Sequence, residues 1–227
     1  GSQTALSNRN LIINGAMTVA QRNSSSAVTI SGDGVYTTVD RFKGRTFGGS
    51  GRFSMQQVTD TPNKSFTNSL KLVVTTTDTS GTYGYGIEHV IEDNAIHPAG
   101  FGDSDANSVT LSFWVKSSVT GSYSASLRAR HDTGTPANVQ EYSISSANTW
   151  EHKKITFPAY TGSDSLTHLL LDFGLGKQTS KTTSTLGTWQ TTNFVFGNNQ
   201  VDWQSNSGAA FYLTGVQLEL GEQATPF

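Results

Sequence analysis

The sequence predicts an all-β protein, a sandwich of two antiparallel sheets, from its composition and from its pattern of apolar residues. The 227 residues include 31 Thr, 28 Ser and 23 Gly but only 5 Pro, which suits strands joined by turns. Apolar residues recur in strand-length segments, and turn-rich segments separate them. No segment sustains the apolar stripe of an amphipathic helix, so we expect strands throughout.

The size of the chain fits one large all-β domain or two small ones. Hydrophobic residues make up 34% of the chain and aromatic residues 10%, enough for a substantial core. We find no repeat of fixed period and no internal boundary. We therefore predict one domain over residues 11–227, preceded by residues 1–10, which comprise a Gly-Ser cloning remnant and a linker or lead-in.

The charge pattern excludes several classes of partner and site. The chain has 15 basic and 17 acidic residues, a net charge of -2, and no basic cluster beyond Lys153-Lys154 and the spaced Arg128 and Arg130. Nucleic-acid binders carry a stronger basic footprint, so we expect no nucleic-acid partner. The absence of Cys excludes disulfides and thiolate metal sites. No apolar run approaches the ~20 residues that a membrane helix needs, so we expect no membrane insertion.

The N-terminal half predicts a series of short strands divided by turns. The strand segments are, in order, LIINGAM, SSSAVTISGDG, YTTVDRF, RFSMQQV, SLKLVV and YGYGIEHVI.

The segment SVTLSFWVKSSVTGSYSASLRARH predicts a hairpin that turns at Gly121. Apolar residues alternate on both sides of the turn, which is typical of two amphipathic antiparallel strands. They are Val109, Leu111, Phe113 and Val115 before the turn, and Tyr123, Ala125, Leu127 and Ala129 after it.

The C-terminal segments WEHKKITF, LTHLLLDFGL and AAFYLTGVQLEL bring the total to about ten strands. In the last segment, Val216, Leu218 and Leu220 alternate with polar residues, so one face of the strand is buried. An exposed apolar edge would recruit other chains, so we place this strand inside a sheet. The strand number favours a jelly roll.

Several segments together resemble a known family. NLIINGAMTVAQR, TVDRF, IEHVIED, VTLSFWVKSS and FYLTGVQLELGEQATPF resemble the C-terminal, carbohydrate-binding-module-like domains of bacteriophage tail-fibre and related virion proteins. The resemblance spans Asn10 to Phe227. It implies a jelly-roll sandwich at the distal end of a fibre, recognition of the host surface, and homotrimeric assembly.

A looser similarity connects NLIINGAM, LSFWVKSSVTGSYSASL and NTWEHKKITF to the jelly-roll carbohydrate-binding modules of polysaccharide-degrading enzymes. That similarity implies a structural calcium near an N-terminal Asn-Gly and a carboxylate in the last strand. Here Asn14-Gly15 precedes Ala16-Met17, and Thr214-Gly215 stands where the carboxylate is expected. Because calcium favours anionic oxygen ligands, we disfavour calcium here and expect no other cofactor.

The polar segment 176–208 holds the first group of candidate glycan-binding residues. Long loops in compact domains are commonly functional, and sugars are bound by aromatic faces framed by polar groups. The candidates are Trp189, Trp203, Gln190, Asn193 and Asp202. The alternative for each Trp is a ring buried as a loop anchor.

Tyr83 and Tyr85 are further candidates because they share a strand face flanked by glycines. The alternative is that both tyrosines follow Ile87 into the core on the same parity. Trp114 faces away from the apolar stripe of its strand, toward a binding face or an interface between subunits.

Catalytic and metal motifs are weak. The acidic residues include no recognisable pair for glycoside hydrolysis, and the chain lacks the G-x-S-x-G motif. HVIEDNAIH does not have a recognised zinc spacing. DSDAN begins like an EF-hand loop, but the twelfth position is Trp114. We therefore predict no catalytic residues and assign no metal ligands.

The function predicted from the resemblance is that of a non-catalytic domain on the extracellular surface of a phage virion. Its expected partners are a bacterial cell-surface polysaccharide or lipopolysaccharide, two further copies in a homotrimer, and other virion proteins. The alternative is a purely structural virion domain that trimerises, caps a shaft or decorates a capsid. A polysaccharide depolymerase is a third, weaker alternative.

Overall fold

A computed structural model describes residues 10–23, 25–162 and 166–227, and confirms the all-β sandwich. Two six-stranded antiparallel sheets face each other. Residues 1–9 of the predicted lead-in lie outside the described residues, whereas Asn10 already forms a bridge to Glu219.

The strands of the two sheets are joined by turns and a few short helical segments. The strands are β1 Val28–Ile30, β2 Phe42–Thr46, β3 Arg52–Val58, β4 Ser69–Thr76, β5 Tyr85–Glu92, β6 Val109–Ser117, β7 Gly121–His131, β8 Ala137–Ile144, β9 Glu151–Phe157, β10 Leu166–Gly174, β11 Thr182–Thr183, β12 Trp189–Gln190, β13 Phe196–Gly197 and β14 Ala210–Leu220. Sheet A has the order β1-β3-β4-β14-β6-β9, and sheet B has the order β12-β8-β7-β10-β5-β2. The helix α1 spans Asp93–Ile96, and 3₁₀ turns span His97–Ala99, Thr179–Lys181 and Trp203–Ser205. Within the described residues, no helix is long and apolar enough to cross a membrane.

The core lies between the sheets and is built by the period-two alternation of the strands. Aromatic rings from both sheets meet there: the Phe113 ring of sheet A packs at 5.0 Å from Tyr142 and at 5.1 Å from Phe173 of sheet B. The odd-numbered apolar residues predicted to share a face on β6 and β7 are all buried. The intervening residues of each strand point to the outer face of their sheet.

The predicted hairpin at Gly121 is wrong, although both of its strands exist. β6 pairs with β14 and β9 in sheet A, whereas β7 pairs with β8 and β10 in sheet B. The chain crosses between sheets at this corner, where the Ser117 and Tyr123 hydroxyl oxygens are 2.9 Å apart. Two strands that face each other across a core carry the same alternation as two strands of one sheet, so the pattern could not separate these arrangements.

The last strand, β14, lies at the centre of sheet A, between β4 and β6, as its alternation predicts. Its register shifts between Thr214 and Gln217, which marks a β-bulge. The N-terminal segment packs against the bulge, where Val216 N donates to Gly15 O at 3.0 Å. A Cβ on Gly15 would lie 2.0 Å from Val216 O, so this close approach requires glycine.

Candidate functional site

The outer face of sheet B carries a concentration of charged side chains. Neighbouring strands contribute Lys43 and Arg45 from β2, Glu88 from β5, Asp172 from β10 and Arg128 from β7. Each alternates with residues that point into the core, so strand parity places all five on one surface. Asp172 lies directly opposite Glu88 in the β5–β10 pairing and opposite Ser126 in the β10–β7 pairing.

Arg128 is the centre of this network. Its Nε donates to Asp172 Oδ2 at 2.7 Å and its Nη2 donates to Asp172 Oδ1 at 2.9 Å, which is a bidentate pair. Nη2 also donates to Glu88 Oε2 at 2.7 Å, and Nη1 donates to Asn193 Oδ1 at 3.0 Å. The guanidinium is therefore held in one orientation by three side chains.

Lys43, Arg45 and Asp33 form the more accessible edge of the network. Lys43 Nζ lies 2.6 Å from Glu88 Oε1, and Arg45 bonds both Glu88 and Asp33, with Nη2 of Arg45 donating to Asp33 Oδ2 at 3.0 Å. The side chain of Asp33 is 48% exposed, whereas that of Glu88 is only 1% exposed. The negative charge of the buried Glu88 is thus neutralised by neighbouring cations, whereas the Asp33 carboxylate at the edge of the network is accessible to solvent.

The two buried carboxyl groups have opposite pKa shifts. Burial raises the pKa of Asp172, and Arg128 offsets that effect only in part. Burial also acts to raise the pKa of Glu88, but Arg45 and Arg128 outweigh it and lower that pKa. Paired carboxyl groups with divergent pKa values occur in glycosidases. Here both groups are bonded to Arg128 and are almost inaccessible, so they serve to hold the network together.

The polar segment 177–200 folds over part of this face. β11 and β13 form a small parallel pair in it, and backbone N–H groups of the segment bond to outer-face side chains of sheet B. Gly197 N donates to Ser124 Oγ at 2.7 Å, and Asn199 N donates to Glu141 Oε1 at 2.9 Å. Residues 177–200 of the predicted 176–208 loop are therefore docked on the outer face of sheet B and cover one side of it.

Lys181 belongs to this segment and carries an uncompensated positive charge. Burial, together with repulsion from Arg128 and Arg45, lowers the pKa of Lys181. Within the described part of the chain, its ammonium has no hydrogen-bond or ion-pair partner. The three cations of the network are matched by three carboxylates, so Lys181 adds an unmatched positive charge near Arg128 and Arg45.

The predicted ligand-binding role must be corrected for two residues, because their side chains lie in the core. Trp203 is 0% exposed, and its ring packs edge-on against Phe53 at 6.3 Å. Tyr85 is 1% exposed; its hydroxyl donates to Asp78 Oδ2 at 2.6 Å and accepts from Gly51 N at 3.1 Å. Neither ring has a face available to a ligand.

Trp189 is half-buried in an aromatic cluster. Its ring lies 4.8 Å from Tyr160 and 6.0 Å from Phe101, and its Nε1 donates to Pro158 O at 2.9 Å. The neighbouring Gln190 bonds within its own loop, with Nε2 donating to Thr185 O at 2.9 Å. These contacts match the loop-anchor alternative, and a ligand role for both residues stays a prediction.

The remaining predicted residues lie apart from one another. Asn193 is the one member of the predicted set that joins the Arg128 network. Asp202 precedes the 3₁₀ turn, where its carbonyl accepts from Ser205 N at 3.2 Å, and burial raises the pKa of its carboxyl. Tyr83 is 39% exposed and lies near Gly48.

The residues at the place where the similarity suggests calcium do not fit a calcium site. Asn14 Oδ1 accepts from Val19 N at 2.9 Å, and Thr214 Oγ1 donates to Asn68 O at 2.8 Å, so both side-chain oxygens are engaged. Within the described ranges, no three His, Asp or Glu side chains group as a metal site.

Sequence reasoning missed most of the charged face. A usable signal was present in the alternation of Lys43 with Arg45 and in the polar positions that interrupt apolar strands at Glu88, Arg128 and Asp172. A charged side chain on the polar face of a half-buried strand is ordinarily solvated, so the sequence alone does not indicate a network. Only the order of the strands in the sheet shows that these side chains lie together.

Comparison with known proteins supports the fold. No family model and no curated protein matches the chain. The chain is similar to the enzymatically active domain of tailspike protein 4 of bacteriophage CBA120, with 16% identity, 93% of this chain and 21% of that chain covered, and a TM-score of 0.52. It thus spans about a fifth of that tailspike fragment.

Two further solved structures are matched over nearly all of their own length. A candidate sugar binding protein from Bacteroides thetaiotaomicron has 13% identity, with 93% of this chain and 100% of that chain covered and a TM-score of 0.52. The family 11 carbohydrate-binding module from Clostridium thermocellum has 11% identity, with 89% and 99% covered and a TM-score of 0.47. At this level of identity, the two structures with a TM-score of 0.52 establish the fold alone, a β-sandwich.

Proposed function

We propose that this chain is a non-catalytic glycan-binding module of a phage virion that attaches the particle to the host surface. Its ligand is a cell-surface polysaccharide or lipopolysaccharide, bound on the outer face of sheet B. The observation that carries the proposal is the unmatched ammonium of Lys181, which lies close enough to Arg128 and Arg45 for their charges to lower its pKa. The sandwich fold of the sugar-binding neighbour is consistent with it.

The chemistry around Lys181 suits a saccharide that bears hydroxyl and carboxylate groups. Guanidinium and ammonium groups donate hydrogen bonds to both, and a carboxylate on the sugar would neutralise Lys181. Because the network beneath holds Arg45 in place, little side-chain entropy is lost on binding. Shallow sites of this kind bind weakly, so display on a homotrimeric fibre would supply avidity.

A microarray of bacterial surface polysaccharides, probed with the intact chain, tests this function. We expect binding to acidic polysaccharides that Lys181→Gln reduces by about tenfold. Lys154→Gln is the matched control, because it removes an exposed lysine on β9 of the other sheet. Equal binding by both variants would remove the sheet B edge from the site.

The second candidate is a purely structural virion domain. It is favoured by the burial of Trp203 and by the packing of Trp189 against its own chain, since these rings provide no open sugar platform. A folded chain that binds no polysaccharide on the array, yet sediments as a trimer, would favour this alternative.

A further inference from the structure

The outer face of sheet A contains a pocket of about 390 Å³, on the opposite side of the sandwich from the Arg128 network. It lies over β14, β6 and β9, and the C-terminal residues 224–227 form one wall. We call it the Trp114 pocket and define it by aromatic and neutral polar residues, namely Phe66, Trp114, His152, Phe227, Ser112 and Gln217. Its volume lies in the range of small-molecule sites.

The wall formed by the C-terminal residues is held by hydrogen bonds. Glu219, which is 2% exposed, accepts from Thr225 N at 2.8 Å, from Thr225 Oγ1 at 2.6 Å and from Gln217 Nε2 at 3.0 Å. Gln217 Nε2 also donates to Thr225 O at 3.2 Å. The wall is therefore fixed to β14 before any ligand arrives.

The bulge in β14 shapes the floor of the pocket. Gly215 has a φ of 62°, and a Cβ at this position would lie 2.8 Å from Phe66 Cζ and 3.2 Å from Trp114 Cδ1. The glycine lets both rings approach the strand. The Phe227 ring continues the apolar surface at 5.2 Å from Phe66. One side of the half-buried Trp114 ring therefore packs against the strand at Gly215.

Polar groups of the pocket have unused hydrogen-bonding capacity. Within the described chain, the Ser112 hydroxyl, the Trp114 indole N–H and Gln217 Oε1 have no hydrogen-bond partner. Gln217 has committed its amide hydrogens to Glu219 and Thr225, so its oxygen remains as an acceptor. A purely apolar ligand would displace water from these groups without replacing its hydrogen bonds, at a cost in affinity.

The electrostatics of the pocket disfavour an anionic ligand. Among the described residues, no Asp, Glu, Lys or Arg side chain lines it, and the lining residue Phe227 carries the α-carboxylate of this chain. Burial lowers the pKa of His152, whose ring lies 5.0 Å from that of Trp114, and this favours the neutral imidazole. An anionic group would lose its hydration here without a cation to pair with.

We propose that the Trp114 pocket binds an uncharged pyranose ring, as a second saccharide site separate from sheet B. The ring stacks its C–H surface on Trp114, while its hydroxyls bond to Ser112 and to Gln217 Oε1. This inference goes beyond the proposed function. If the sheet B edge binds no ligand, this inference is unaffected. If only the sheet B edge binds saccharide, this inference fails and the proposed function does not.

The test is NMR of the indole N–H signals of the four tryptophans in the ¹⁵N-labelled chain. The probes are cellotriose, maltotriose, mannotriose, β-1,4-galactotriose and chitotriose, each compared with galacturonic acid as a charged ring. We expect at least one neutral trisaccharide to shift the Trp114 signal saturably at millimolar concentration. The buried Trp203 signal should not move, and galacturonic acid should leave the Trp114 signal unchanged.

Two variants complete the test. We expect Trp114→Ala to weaken binding by about tenfold or more, measured by calorimetry, whereas Trp150→Ala, on the same face but outside the pocket, should bind normally. Gln217→Glu, which places a carboxylate in the pocket, should also weaken binding. The proposal is overturned if no neutral trisaccharide shifts the Trp114 signal, or if Trp114→Ala binds as well as the unmodified chain.

Discussion

Glu88 and Arg128 are bonded over an intervening strand: Arg128 Nη2 on β7 donates to Glu88 Oε2 on β5 at 2.7 Å, and β10 lies between them. The same guanidinium donates two further hydrogen bonds to Asp172 on β10. One side chain therefore joins three adjacent strands on the outer face of sheet B.

We expect Arg128→Ala to lower the free energy of unfolding by about 3–5 kcal/mol, because it leaves the buried Asp172 carboxyl without its ion-pair partner and removes one of the three cations that bond Glu88. Urea denaturation followed by intrinsic fluorescence would measure the loss. The control is Arg130→Ala on the same strand, where the exposed side chain makes one 3.2 Å bond to Thr135. Similar midpoints for the two variants would contradict a central role for Arg128.

Trp203 supplies a second prediction, about the core. We expect Trp203→Ala to cost about 3–5 kcal/mol, since it empties a fully buried site beside Phe53. Trp203→Phe should cost less, because the buried indole N–H has no hydrogen-bond partner among the described residues and its removal relieves an unsatisfied donor. Thermal unfolding of both variants is the measurement. A loss for Phe as large as that for Ala would mean that filling the site with a smaller ring gives no advantage over the cavity.

Much of the fold could be predicted from the sequence because strand alternation is a local signal. The alternation of apolar and polar residues around Val216 and Leu218 indicates within a few residues which side chains are buried, and both of these are fully buried. The partner of a strand is not a local property. The segments around Phe113 and Tyr123 have the alternation of a hairpin, yet they belong to facing sheets.

The candidate site was harder to predict because its contacts are long-range. Arg128 and Asp172 are separated by 44 residues, and Arg128 and Glu88 by 40. Trp203 was misassigned because its polar sequence neighbours indicate a surface loop, whereas a 3₁₀ turn directs the indole into the core. Local composition describes what surrounds a residue in sequence, and burial depends on the direction of the side chain.

A third prediction concerns the close packing of the N-terminal segment on β14. We expect Gly15→Ala to destabilise the protein by at least about 1–3 kcal/mol, because the new Cβ would lie 2.0 Å from the backbone oxygen of Val216. Gly32→Ala is the control, since its Cβ would meet only Val35 Cγ2, at 3.8 Å. Chemical denaturation should show a loss for Gly15→Ala and little change for Gly32→Ala. Equal stability of the two variants would mean that the contact relaxes at no cost.

The fourth prediction is a pH dependence of stability caused by His89. This residue is fully buried against Phe42, and burial, with repulsion from Arg41, lowers its pKa from 6.5 to about 3. Between those values the unfolded chain binds a proton that the folded chain does not. Stability should therefore fall as the pH drops below 6.5, by up to about 1.4 kcal/mol per pH unit, and roughly 2 kcal/mol should be lost by pH 5.

His89→Leu separates this effect from the titration of other groups, because the leucine fills a similar volume and binds no proton. Unfolding free energies measured from pH 7.5 to pH 5 should fall less steeply in His89→Leu than in the unmodified chain. His97→Leu, at an exposed position beside α1, should keep the original slope. If His89→Leu and the unmodified chain lose stability in parallel, the proton taken up on unfolding belongs to other groups, and the buried imidazole must accept a proton in the folded state.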